Sequence, residues 1–185
     1  SPFIVREGVM KRIGIFVALL SFSIFAISGC GKQDQSATGP IKIGAVFSVT
    51  GTGAKLGGPE KYAAQMVVEQ INAAGGINGR SIELIVEDDQ GVEENTVNAV
   101  KKLITQDNVA AIIGPSRSGN AYAAAPICEE AACPLISCAA AWVQLFPGND
   151  PTQPMYKFVF KTPQNDSDCA VRILEDCKSK GFTKI

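Results

Sequence analysis

From residue 41 onward, apolar positions follow two rhythms. Ile41–Phe47 (IKIGAVF), Ser81–Glu87 (SIELIVE) and Val109–Ile113 (VAAII) are short runs rich in β-branched residues. Such runs predict buried strands. Between the first two the period lengthens. Ala64, Val67, Val68 and Ile71 fall at i, i+3, i+4 and i+7, one face of a helix. Pro59 suits the first turn of that helix and Gly75-Gly76 stops it. The Gly-rich stretch Ser48–Gly58 then reads as a loop. Val97, Val100 and Ile104 mark a second helical face. Gly114–Asn120 (GPSRSGN) predicts a turn, followed by an Ala-rich helix to about Ala132. Pro134–Ser137 and Tyr156–Lys161 predict two more strands, with a short helix or turn at Ala139–Phe146 between them. Asn165 to Asp168 offer N-cap oxygens to a last helix, with Ala170, Ile173, Leu174 and Cys177 inward. Lys184-Ile185 reads as the start of another strand.

Strand and helix alternate without hairpin signals. That order predicts an α/β fold, a parallel sheet with helices on both faces. Ligands in such sheets bind beyond the carboxyl ends of the strands, where the strand order switches. The loops 48–58, 114–120 and 137–142 are therefore the candidates.

The first thirty residues follow another pattern. Lys11 and Arg12 stand just after Met10, and Ile13–Ile27 is an almost purely apolar run of fifteen residues. That is short for a transmembrane helix, which needs about 20 apolar residues. It reads as a secretory signal peptide over 10–29, with 1–9 lying upstream of the initiator. The run ends Ile27-Ser28-Gly29-Cys30, which resembles the lipobox of bacterial lipoproteins. That resemblance implies lipid attachment at Cys30, hence a membrane anchor and a periplasmic or cell-surface address. Gly31–Pro40 (GKQDQSATGP) is small and polar and, with Cys30, reads as a flexible tether over 30–40.

Composition narrows the chemistry. The chain has 185 residues, a net charge of −1 and 46% hydrophobic residues. The balanced charge gives no footprint for nucleic acid. There is no histidine, which removes Ser-His-Asp and Cys-His catalysis and every histidine-bearing zinc site. Six cysteines stand at 30, 128, 133, 138, 169 and 177, none in CxxC spacing. Those beyond Cys30 read as small buried apolar residues. Neither a metal nor a cofactor is expected.

The loop 114–120 is the best anion site. Ser116, Ser118 and Asn120 supply hydroxyl and amide groups, and Gly119 permits close backbone approach. The helix behind them presents free N–H groups and a positive dipole end. A Ser or Asn before a helix also serves as a simple cap, and both readings stand.

The segments IKIGAVFSVTG, INAAGGINGR, SIELIVEDDQG, AAIIGPSRSGNAYAAAP and PLISCAAA occur in that order. The order resembles the type I periplasmic binding proteins of the leucine/isoleucine/valine-binding family. The resemblance spans about Ile41 to the C-terminus. It implies two Rossmann-like lobes that close on a small solute and deliver it to an ABC permease. It implies that 41–161 is the first lobe and 162–185 the crossover and start of a second. By the same resemblance Ser118 corresponds to a carboxylate-binding serine, and Ala139 and Ala141 to ligand contacts. Ala141 stands where the family has a threonine, and Leu56 where leucine-binding members have an aromatic residue, so a different pocket shape is implied. The family's disulfide positions fall on Gly91 and Arg117, so that bridge is absent. The expected ligand is an amino acid or similar small carboxylate.

Two other functions fit less well. Gly51, Gly53 and Gly57 between a strand and a helix suggest a dinucleotide fingerprint, but the spacing is GxGxxxG rather than GxGxxG. The acid that ends the second strand also lies about 35 residues on rather than about 20. No enzyme is expected. A ligand-sensing receptor ectodomain shares the fold, yet a lipobox points to a tethered transport component.

Overall fold

The computed structural model describes residues 39–182 and 184. The leader, Cys30, most of the tether and Ile185 lie outside the described residues.

Five strands form one parallel sheet: β1 (Ile41–Phe47), β2 (Ile82–Asp88), β3 (Ala111–Ile113), β4 (Leu135–Ser137) and β5 (Val159–Lys161). Their order is β2-β1-β3-β4-β5. The chain leaves β1 to one side for β2 and returns to the other side for β3, so the switch in strand order lies between β1 and β3. Four helices connect or follow the strands: α1 (Ala54–Ala73), α2 (Glu93–Thr105), α3 (Ser118–Glu130) and α4 (Asp166–Ser179).

Alternation along the strands separates two faces. Val46, Ile112, Leu135 and Val159 point to one face, where Ala99, Val100 and Leu103 of α2 and Ala124, Ala125 and Cys128 of α3 close over them. Burial of each large aliphatic side chain there contributes roughly 1.5–3 kcal/mol. Ile43, Ile113 and Ile136 point to the other face under α1, where they line an apolar groove of about 430 Å³. Val67, on the α1 wall of that groove, is 46% exposed.

Several boundaries differ from the expected ones. α1 begins at Ala54, not Pro59, and a 3-10 turn at Gly51–Gly53 leads into it. The supposed loop is thus half helical. Gly57 permits this, since a Cβ there would lie 2.4 Å from the Ser48 backbone. Pro59 removes the bond to the Lys55 carbonyl, and Lys55 is exposed to water. β3 and β5 are shorter than the apolar runs that announced them.

α4 departs from expectation in its packing. Its apolar positions do not face inward: Ile173 is 61% and Leu174 48% exposed, and the helix has no buried residue. The helical period was right, but no described element packs on that stripe. Nor does the Asn165 side chain cap the helix; its Nδ2 donates to Asp168 Oδ2 at 3.3 Å instead.

Candidate ligand site

The three loops converge at the carboxyl edge of the sheet, beside the switch between β1 and β3. Side chains tie the first two together. The Ser48 N–H after β1 donates to Ser116 Oγ after β3 at 3.1 Å. Ser116 Oγ in turn donates to Glu60 of α1. Arg117 Nη1 donates to Thr52 Oγ1 at 2.9 Å and to the Gly91 carbonyl at 3.1 Å. The two positions implied for a disulfide, 91 and 117, are therefore neighbours joined by a guanidinium rather than by sulfur.

A buried polar cluster underlies the edge. Asp89 is fully buried and accepts from Ser48 Oγ (2.7 Å), the Gly91 N–H (2.8 Å), Thr96 Oγ1 (2.9 Å) and Asn120 Nδ2 (2.8 Å). Four donors satisfy the carboxylate oxygens, so its burial is tolerated. One residue thus fixes the ends of β1 and β2 and the starts of α2 and α3. Its neighbour Asp88 accepts from the N–H groups of Val49, Thr50 and Gln90 and from Thr50 Oγ1. Partial burial pushes the Asp88 carboxyl upward, but these bonds outweigh it and hold the group below its ordinary value.

This scaffold sorts the motif GPSRSGN. Ser116 is 5% and Asn120 2% exposed, and both side chains are engaged inward. Ser116 Oγ and Asn120 Nδ2, both expected among the ligand contacts, are bonded to scaffold partners here. Gly119 lies against α2: a Cβ there would fall 2.5 Å from Glu93 Oε1. Ser118 is the first residue of α3 and is half-buried. The residue before it, Arg117, makes no side-chain capping bond. The first N–H groups of α3 therefore keep their bonding capacity, with the Glu93 carboxylate close by at Gly119. The simple-cap reading of the motif fails on that observation.

Leu56 sits in the first turn of α1 and is 53% exposed at the same edge. After β4, Ala139 is buried and Ala141 half-buried. The Ala139 N–H donates to Ser137 Oγ at 3.1 Å. Gln144, which carried no signal in the sequence, lies behind this turn. It is completely buried, and its Nε2 donates to the carbonyls of Ala139 (2.9 Å) and Ala141 (2.5 Å).

The described cysteines are free thiols. Burial, and then the neighbouring Cys133, push Cys128 up to about 12. Burial and the Glu60 charge push Cys138 to about 11. Both stay protonated near neutral pH and act as small apolar groups. Among the described residues no His, Cys, Asp or Glu cluster could hold a metal ion. The glycines of the supposed nucleotide fingerprint instead form the turn into α1 and its close approach to Ser48.

Comparison with known proteins agrees with this architecture. The family model described as periplasmic binding protein matches residues 40–185. A leucine-, isoleucine-, valine-, threonine- and alanine-binding protein of Pseudomonas aeruginosa is 31% identical over 157 residues, covering 85% of this chain and 38% of the relative. A Leu/Ile/Val-binding protein homolog 7 of Brucella abortus is 35% identical over 123 residues, covering 66% and 30%. The solved branched-chain amino acid transporter substrate binding protein LivJ of Streptococcus pneumoniae, in complex with isoleucine, superposes with a TM-score of 0.62 at 34% identity, covering 69% and 35%. The chain thus spans about a third of the length of these relatives. All three are binding proteins by name, not enzymes.

Proposed function

The chain belongs to the periplasmic binding protein family, and from that premise we propose that it captures an amino acid or similar small carboxylate outside the cytoplasm for an ABC permease. Residues 41–161 act as the first lobe of a two-lobed clamp, and 162–185 carry the chain toward the second. One observation supports this reading above the others: the N-terminus of α3, with Ser118 at its first position, has no side-chain cap and lies at the sheet's topological switch. A ligand carboxylate there accepts from the helix N–H groups and from Ser118 Oγ. The turn 139–141 and Leu56 flank it. Ser116, Gly119 and Asn120 hold the loop rather than the ligand. The amino acids named for the relatives, leucine, isoleucine, valine, threonine and alanine, set the starting candidates.

The test is Ser118→Ala in the full-length protein, titrated calorimetrically with leucine, isoleucine, valine, threonine and alanine. Loss of one charge-assisted bond, about 1.5–3 kcal/mol, lowers affinity for the bound amino acid about 10- to 100-fold. Unchanged affinity would overturn the assignment. The proposal includes a lipid anchor at Cys30. Cys30→Ser should abolish incorporation of radiolabelled lipid, and labelling that persists would refute it.

A further inference from the structure

Ser118 opens α3, and Leu56 lies in the first turn of α1. They belong to separate loops, so a ligand between them needs those loops held in a fixed relation. Arg117 joins them. It is the backbone neighbour of Ser118, and its Nη1 donates to Thr52 Oγ1 at 2.9 Å, in the turn that leads into α1. The same nitrogen donates to the Gly91 carbonyl at 3.1 Å, after β2. One planar group therefore links the loops that follow β1, β2 and β3. Two glycines make room for it. A Cβ at Gly53 would lie 3.3 Å from Arg117 Cδ, and a Cβ at Gly91 would lie 3.0 Å from Arg117 Nη1.

Helix stability does not account for an arginine here. Residue 117 stands at the N-cap of α3 in extended conformation, φ −121° and ψ 147°. Ser, Thr, Asp or Asn at that place accepts from the helix N–H groups. Arginine has donors and no acceptor, and its charge stands at the positive end of the helix dipole. No ion pair holds it among the described residues, and both of its acceptors are neutral. What arginine adds is the reach to Thr52 and Gly91. What it leaves out is a cap. The N–H groups that open α3 stay available while the loop that carries them is tied down.

We propose that Arg117 is a positioning residue of the ligand site. Its guanidinium sets Ser118 against the turn 51–53, and so against Leu56, without capping the helix. This rests on the reading that the ligand lies between Ser118 and Leu56.

Arg117 and Thr52 are both exposed, so their variants leave the core intact. In the full-length protein, Arg117→Met removes the tie, and Arg117→Asn removes it and supplies a cap acceptor. Thr52→Val removes one bond, and Thr52→Ser keeps it. Affinities are titrated with leucine, isoleucine, valine, threonine and alanine, and thermal midpoints are recorded without ligand. Both Arg117 variants should weaken the amino acid that binds best about fivefold or more, because a preset loop becomes one that must be ordered on binding. Arg117→Asn should do so although its midpoint is no lower than that of Arg117→Met, since asparagine caps the helix. Thr52→Val should weaken binding, and Thr52→Ser should restore it to within about twofold of wild type. The gap between wild type and Arg117→Met should persist in about 1 M salt, where screening acts beyond about 3 Å.

Affinity within about twofold of wild type in either Arg117 variant overturns the proposal. So does affinity that follows the midpoints, which marks a role in stability alone, or a gap that closes in salt, which marks a role of charge alone. Thr52→Val binding as tightly as Thr52→Ser overturns it too. The Ser118 amide resonance without ligand is a check that needs no binding partner. It should differ between Thr52→Val and Thr52→Ser, and an identical position overturns the proposal. Ser118→Ala separates this inference from the reading beneath it. If Ser118→Ala leaves affinity unchanged while the Arg117 variants weaken it, the Ser118 hydroxyl assignment fails and the positioning role stands. If only Ser118→Ala weakens binding, the positioning role fails.

Discussion

The two faces of the sheet are built from the same kind of residue and reach different ends. On one face Val46, Ile112 and Leu135 are completely buried beneath α2 and α3. On the other, Ile43, Ile113 and Ile136 alternate with them along the same strands, yet α1 alone lies over them and leaves a groove. Composition does not separate the faces, since isoleucine and valine serve both. What differs is how many helices the described chain supplies to each. Hydrophobic residues drive burial, but burial needs a partner surface. α4 repeats the lesson, with an apolar stripe of Val171 and Leu174 that stays exposed.

Four measurements break or sharpen that contrast. The largest effect lies where the closed face meets the candidate site. Asp89→Ala removes the acceptor for Ser48, Thr96, Asn120 and the Gly91 N–H. Loss of about 3–5 kcal/mol is expected in chemical denaturation, because buried donors lose a charged partner. A loss under about 1 kcal/mol would mean that water replaces the carboxylate and that the cluster is not dry. Next comes a pair across the sheet. Leu103→Ala should cost about 2–5 kcal/mol as a cavity in the closed face. Ile113→Ala, under the groove, should cost clearly less. Equal costs in the full-length protein would show that another segment completes the open face there.

A third measurement addresses the groove directly. Val67→Asp puts a charge on its α1 wall, where the side chain reaches water. Stability should change by less than about 1 kcal/mol, while fluorescence of an apolar dye bound to the groove falls. A severe loss of stability would instead place Val67 in a covered interface. The smallest effect concerns pH. Asp88 is held below its ordinary value, so its bonds favour the folded state above the unfolded carboxyl's value of 3.8. That contribution is lost as pH falls through the depressed folded value. The stability gap between wild type and Asp88→Asn should therefore be widest near neutral pH and close below about pH 4. A gap that widens in acid would reverse the assignment.

The place of the candidate site in the fold was legible, the surroundings of its residues less so. Apolar periodicity located every strand and placed loops 48–58, 114–120 and 137–142 at the sheet's carboxyl edge. Ser118 stood out by composition and by resemblance, and the structure puts it at an uncapped helix start. Ser116 and Asn120 looked equivalent to it. They differ only because Glu60, Asp89 and Thr96 approach from other elements. Those partners lie 24 to 56 residues away along the chain, beyond any local pattern. Gln144 was invisible for the same reason, as one polar residue in a short apolar stretch.

By itself the sequence determined the alternation of strands and helices and the parallel sheet. These depend on periodicity and residue type, which are properties of the chain read in order. Only the tertiary structure decided which polar residues are spent on the scaffold, which N–H groups remain free, and which apolar face stays open. Those outcomes depend on distance in space, because a hydrogen bond or a buried contact exists only once its partner arrives.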